Sequence, residues 1–252
     1  MTERAQVYDH LLNVIETRGA AYLVLLDPDG PGAEENARLA RVAAEGGADA
    51  LLVGGSLSLH GRCGQTAAAV KREVDLPVII FPGDVGFVTQ EADAILFLSL
   101  VSGRNPELLI GQHVKAAPAI RRLGIEAIPT AYMLVEGGAT TSVEFMSGTR
   151  AMPRTKPDIA MAHALAAQYL GMRIAFFDCG SGADVPVPVE FVEAVAQYID
   201  IPVMVGGGIR RPSEARALVR AGARIVVTGD VIERGGNADL LKELADAVHG
   251  DG

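Results

Sequence analysis

Eight short apolar runs recur along this chain: Ala21 to Leu26, Ala48 to Val53, Pro77 to Phe81, Asp93 to Leu98, Ile125 to Thr130, Met172 to Phe177, Ile201 to Val205 and Ile225 to Val227. Near-continuous Val, Ile and Leu mark strands that are covered on both faces. Amphipathic stretches of helical spacing stand between most of them, so the strands are predicted to pair in parallel through βα units. Helical connections read at Ala33 to Glu45, Thr66 to Glu73, Asn105 to Arg122, Asp158 to Tyr169, Val189 to Tyr198 and Ser213 to Ala221. Eight βα units in about 250 residues is the size of a TIM barrel. The expected architecture is therefore α/β, a single (β/α)8 barrel over residues 1–252.

Three departures from the regular repeat are expected. The first residues, MTERAQVYDHLLNVIETRG, carry charges at helical spacing and lack the apolar core and cleavage site of a signal peptide, so they are predicted to form a helix that closes the bottom of the barrel. The interval Pro82 to Ala92 is too short for a helix with its loops, which leaves the third connection degenerate and opens a gap in the helical ring. That gap is expected to be an apolar groove lined in part by Phe87 and Leu100. Between the fifth and sixth strands, Tyr132 to Pro157 is long enough to be a functional loop or lid, and it carries Arg150, Arg154 and Lys156.

Several strands end in glycine. Phe176 to Ala183 reads FFDCGSGA, Val205 to Ile209 reads VGGGI, and Thr228-Gly229-Asp230 follows the last run. Glycine lets backbone N–H groups approach an anion closely, and the loops after the last strands of a βα barrel are where phosphate cradles are built. Asp178 lies inside the first of these ends. The pattern points to a phosphorylated substrate held beside an acid, with Asp178 as general base or as an orienting group.

On the same rim, Leu26-Asp27-Pro28-Asp29-Gly30 follows the first strand and Val53-Gly-Gly-Ser-Leu57 follows the second. An aspartate there makes an Asx turn or serves as a hard oxygen ligand, and the neighbouring Ser56 hydroxyl favours Mg²⁺. Arg104, after the fourth strand, is a candidate for contacting diphosphate, with Asn105 and Pro106 as a helix start. His113 and His163 fall inside helices and read as packing or surface residues; His60 stands near the second loop.

The net charge of −9 argues against nucleic acid, whose binding rests on basic contacts to phosphate. No apolar run reaches the length of a bilayer span. The two cysteines, Cys63 and Cys179, are not at metal-site spacing, which suits a reducing cytoplasm, and Cys179 reads as a small buried side chain.

The ordered set LLDPDG, GGADALLVGGS, PVIIFPGD, ADAILFLSLVSGRNPELLIGQHV, IPTAYMLVEGG, MPRTKPDIA, FFDCGSGA, VMVGGGIR and IVVTGD resembles the geranylgeranylglyceryl phosphate synthase family of TIM-barrel prenyltransferases, which includes the heptaprenylglyceryl phosphate synthases. The resemblance runs from the first strand nearly to the C-terminus, and the family shares the degenerate third helix. It implies Mg²⁺-dependent transfer of a prenyl group from a prenyl diphosphate to a hydroxyl of a phosphorylated three-carbon acceptor, usually sn-glycerol 1-phosphate, to give an ether. By matched position it implies a metal held by Asp27 and Ser56. The acceptor phosphate would lie on Gly207, Gly208, Gly229 and Asp230, and its hydroxyls near Phe176, Phe177, Asp178, Cys179, Gly180, Ser181 and Gly182. A homo-oligomer, and peripheral membrane contact through the lipid product, are further implications.

Three positions depart from the family pattern. Gly30 stands where a lysine is usual, Phe176 replaces a tyrosine, and Asp230 replaces an uncharged residue. All three touch polar contacts to substrate. They keep open 3-phosphoglycerate as the acceptor, as in moenomycin-type antibiotic assembly, and an inactive phosphometabolite- or isoprenoid-binding protein. A sugar-phosphate isomerase fits the cradle but leaves LLDPDG and VGGS unexplained.

Overall fold

The computed structural model describes residues 7–233 and 238–250. Its strands are β1 (Ala21–Leu26), β2 (Ala50–Gly54), β3 (Val78–Phe81), β4 (Ala94–Leu100), β5 (Glu126–Leu134), β6 (Ile174–Asp178), β7 (Val203–Gly206) and β8 (Ala223–Thr228). They pair in sequence order, all parallel, and β8 returns to β1 to close the barrel. The expected (β/α)8 architecture is observed.

Strand alternation sorts the apolar residues into two cores. Leu23, Leu52, Ile79, Leu96, Ile128, Ile174, Met204 and Ile225 point inward and fill the barrel. Val24, Leu51, Val53, Ile80, Phe177, Val205 and Val226 point outward and meet the helices. Both faces are dry, which is why the runs read as continuously apolar; each such side chain contributes about 1.5–3 kcal/mol by leaving water.

The helices are α1 (Val7–Arg18), α2 (Ala33–Glu45), α3 (Cys63–Glu73), α4 (Gln112–Leu123), α5 (Ser142–Ser147), α6 (Pro157–Tyr169), α7 (Val189–Ala196), α8 (Pro212–Arg220), α9 (Asp230–Glu233) and α10 (Ala238–His249). Val7, Leu11 and Val14 of α1 join the inner core, so this helix seals the end of the barrel opposite the strand C-termini, as expected. After β3 there is only a 3₁₀ turn at Val85–Phe87, so the third connection is degenerate. The helix expected from Asn105 starts with a π turn at Glu107–Gly111. Asn105 still caps it, its Oδ1 accepting the Glu107 N–H at 3.0 Å.

Further elements differ from expectation. β5 runs to Leu134 rather than ending at Thr130, because Tyr132 and Leu134 continue the inward alternation and pair with Phe176 and Asp178 of β6. The insertion is partly ordered by α5 and by pairing of Val135 with Met152. α10 was not anticipated; Leu241, Leu244, Ala245 and Val248 bury it in the outer core.

The sealed end is tied by one buried carboxylate. Asp49 accepts the Tyr22 N–H at 2.8 Å, Arg18 Nη1 at 3.0 Å and His249 Nε2 at 2.8 Å, linking β1, α1 and α10. Removing it leaves a buried N–H without an acceptor. Asp49→Ala is therefore expected to cost about 2–3 kcal/mol, read as a lower midpoint in urea denaturation with an unchanged slope.

Candidate functional site

A cavity of about 630 Å³ opens at the C-terminal mouth of the barrel. Its inner lobe lies inside the strand ring, among Asp27, Ser56, Phe81, Tyr132, Phe176 and Asp178. Its outer lobe lies beyond β4, where Ile95 and Phe97 face His113, Ala116 and Ile120 of α4. The two lobes join because no helix covers β3 on that side, so the apolar groove expected from the short interval exists. Of the two residues expected to line it, Leu100 points into the barrel and lines the inner lobe, and Phe87 lines neither lobe, being buried at the 3₁₀ turn with its carbonyl 3.7 Å from Cys63 Sγ.

Asp178 ends β6 on the inward face and is 6% exposed. The Tyr132 hydroxyl donates to its Oδ2 at 2.6 Å, and the Gly180 N–H donates to its Oδ1 at 2.8 Å. Burial pushes the Asp178 carboxyl above the ordinary carboxylate range; the bonds from Tyr132 and Gly180 oppose that shift, and the charge of Asp230 adds to it. Burial likewise raises the Tyr132 phenol, so it stays protonated and donates. Phe81, Tyr132 and Phe176 pack against one another with ring centroids 5.3–5.7 Å apart and line the same lobe as the carboxylate.

Beside Asp178 the glycine ends converge. Gly207 and Gly208 hold φ of 77° and 72°, and a Cβ on Gly207 would stand 2.6 Å from the Gly180 N, so only glycine lets the β6 and β7 loops touch. Gly182, Ser181, Gly229 and Asp230 complete this wall. Asp230 bonds within the wall: its carboxylate accepts the Ser181 hydroxyl at 2.9 Å.

Across the cavity, Asp27 Oδ1 accepts the Asp29 N–H at 2.8 Å, so the Asx turn is present, and the side chain also lines the cavity with Ser56. Asp29 itself bonds the Leu59 N–H. The described cavity wall contains the carboxylates Asp27, Asp84, Asp178 and Asp230 and no lysine or arginine. No cluster of three or more His, Cys, Asp or Glu suited to a metal stands among the described residues. A cage built wholly from such side chains does not fit; a Mg²⁺ held by one carboxylate and a hydroxyl, with substrate oxygens completing its shell, does.

Some expected residues lie elsewhere. Arg104 does not reach the cavity: its guanidinium donates to the carbonyls of Gly103 and Val101 and meets His163 of α6 at 3.2 Å. Strand alternation turns Phe177 outward onto Phe191, and Cys179 lies in the outer core with its thiol pushed up to about 12 by burial. Gly180 acts through its N–H on Asp178. The insertion does border the cavity, through Ser142, Val143, Met146 and Ser147, while Arg154 is held by the Glu136 carbonyl at 2.8 Å. Tyr132 was missed as a site residue. Its signal is the apolar run Ala131-Tyr132-Met133-Leu134, which continues the strand beyond Thr130, whereas by sequence Tyr132 reads as part of the insertion.

The sequence pattern of the PcrB family matches residues 12–248. The chain is 44% identical over 229 residues to the geranylgeranylglyceryl phosphate synthase of Chitinophaga pinensis, covering 91% of this chain and 90% of that one. It is 45% identical over 233 residues to the synthase of the same name from Thermococcus kodakarensis, covering 92% of each. Among solved structures, it superposes on (S)-3-O-geranylgeranylglyceryl phosphate synthase from Thermoplasma acidophilum, crystallised in complex with the substrate sn-glycerol-1-phosphate. The TM-score is 0.89 at 37% identity, over 95% of this chain and 98% of that one.

The Tyr132–Asp178 contact makes a signed prediction. Folding favours the protonated form of a carboxyl whose pKa is raised. Its contribution is therefore complete below the unfolded pKa and is lost as pH rises through the folded one. Tyr132→Phe removes a bond to the ionised form, so the pKa should rise further. The variant is expected to lose about 1–2 kcal/mol more at pH 8 than at pH 4, measured by chemical denaturation at both.

Proposed function

This chain belongs to the PcrB family, and from that premise we propose that it is a prenyltransferase joining the prenyl group of a prenyl diphosphate to a hydroxyl of sn-glycerol 1-phosphate. The observation that carries the reading is the juxtaposition of a buried carboxylate, a glycine-walled anion cradle and a long apolar lobe within one cavity. These three features suit an acceptor hydroxyl, an acceptor phosphate and a prenyl tail respectively. The described helices include none long and apolar enough to cross a membrane.

In this reading the backbone of Gly207, Gly208 and Gly229 holds the acceptor phosphate, which brings the neighbouring hydroxyl to Asp178. The hydroxyl oxygen bonds to the allylic carbon as that carbon's bond to the diphosphate oxygen breaks. The proton passes to Asp178, and diphosphate departs with the bonding pair. The hydroxyl becomes acidic only as the new bond forms, so a carboxylate at hydrogen-bond distance suffices. Tyr132 keeps that carboxylate oriented, and the rings of Phe81, Tyr132 and Phe176 offer π faces to developing positive charge. The tail follows the outer lobe along β4.

A diphosphate facing a wall with no described lysine or arginine needs a cation from elsewhere. Asp27 and Ser56 would hold Mg²⁺, which when bound offsets the charge gathering on the departing diphosphate. The same lack of a basic side chain weighs against 3-phosphoglycerate, whose extra carboxylate would find no partner there.

Two measurements test the assignment. Asp178→Asn should lower kcat by on the order of 10²-fold with the acceptor KM little changed, and should abolish the acid limb of the pH–rate profile, which in the parent lies above the ordinary carboxylate range. A raised acceptor KM with normal kcat would make Asp178 a binding residue only. Asp27→Ala should abolish turnover in Mg²⁺ while the circular dichroism and melting temperature stay close to the parent's; near-normal turnover would remove Asp27 from the metal site.

A further inference from the structure

The Asp230 carboxylate has no part in the transfer step, although it occupies the cradle. Its Oδ1 accepts the Ser181 hydroxyl at 2.9 Å, and the Gly182 N–H reaches Oδ1 at 3.3 Å and Oδ2 at 3.1 Å. Both donors belong to residues that line the cavity on the phosphate side. Arg210 Nη2 stands 3.6 Å from Oδ2 of the same carboxylate. The Arg210 guanidinium is anchored on the carbonyls of Ala183 at 2.7 Å and Asp184 at 3.2 Å, and its Nε is buried with no hydrogen-bond partner among the described residues.

We propose that Asp230 is a resident anion of the phosphate cradle, holding the Ser181 and Gly182 donors until a phosphate monoester displaces it, with Arg210 as the cation beside which the displaced carboxylate stays. The inference rests on the placing of the acceptor phosphate in this cradle and names the residue that sets how tightly it is held. One N–H and one O–H cannot each serve two anions well, since an ionised carboxylate and a phosphate are both acceptors only. Two anions in a partly buried wall also repel, so one must yield. Asp230 can yield without becoming an unpaired charge, because Arg210 is already within reach and its Nε–H is uncommitted. Asp230 thereby weakens acceptor binding in exchange for a cradle whose donors are satisfied before ligand arrives.

Isothermal titration of the full chain with inorganic phosphate and with sn-glycerol 1-phosphate tests this directly. Asp230→Asn is expected to lower the Kd for both by about tenfold. Asp230→Ser, a second neutral variant, should do the same, and thermal melts identify which variants are folded. A merely structural role for Asp230 would loosen phosphate binding, not tighten it. The Kd for geranylgeranyl diphosphate, bound across the cavity at Asp27 and Ser56, should stay unchanged. Unchanged or weaker phosphate binding in the folded variants would overturn the proposal, as would equal tightening towards the prenyl diphosphate. Failure of the catalytic reading looks different: the parent chain would transfer no prenyl group to sn-glycerol 1-phosphate while the variants still bound phosphate more tightly, and the resident anion would stand.

Discussion

Parallel closure of the barrel is the constraint on which everything else depends. When every strand runs the same way and β8 pairs with β1, the C-terminal end of each strand arrives at one mouth. The residues just past those ends, Asp27, Ser56, Asp178, Gly207 and Gly229, are far apart in sequence yet line one cavity. α1 seals the opposite end with Val7, Leu11 and Val14, so the barrel has a single open face. Glycine at Gly207 then allows the β6 and β7 loops to touch, and Asp178 comes to lie beside a glycine-lined wall of the cavity.

The electrostatics of that mouth follow from burial. Asp178 is withdrawn from water and held by a phenol and an amide N–H, which keeps it ionisable while raising its affinity for a proton. A carboxylate so placed suits proton acceptance at neutral pH better than an exposed one. The described wall carries four carboxylates and no lysine or arginine, an arrangement that is poor for phosphates unless backbone donors and a metal carry the charge.

The missing helix after β3 gives the cavity its second half. In a regular barrel, outward residues of β4 would be covered from both sides; here Ile95 and Phe97 form one wall of a lobe whose other wall is α4. The π turn precedes α4, and the Ser99 hydroxyl donates to its Leu109 carbonyl at 3.1 Å, so the irregular start is anchored to β4. An interval too short for a helix thus becomes an apolar lobe of the cavity.

The sequence by itself determined the barrel, its closing helix, the gap and most of the rim. Those follow from local properties: continuous apolar runs require two covered faces, glycine marks strand ends, and chain length limits what fits between two strands. It could not decide side-chain partnership. Arg104 reads as a diphosphate ligand beside Asn105-Pro106, yet its guanidinium is taken by nearby carbonyls and by His163. Phe177 and Cys179 share a motif with Asp178, but the two-residue period of a strand turns them to the other face. Tyr132 reads as loop, and becomes the donor to Asp178 only because β5 runs on to Leu134 and lies diagonally across from it. Asp230 reads as an intrusive charge, and only the folded loops show it bonded to Ser181 and Gly182 with Arg210 beside it. The pairings of Tyr132 with Asp178, Arg104 with His163, and Asp230 with Ser181 join residues tens of positions apart on different elements, and they exist only once closure of the barrel has fixed register and direction together.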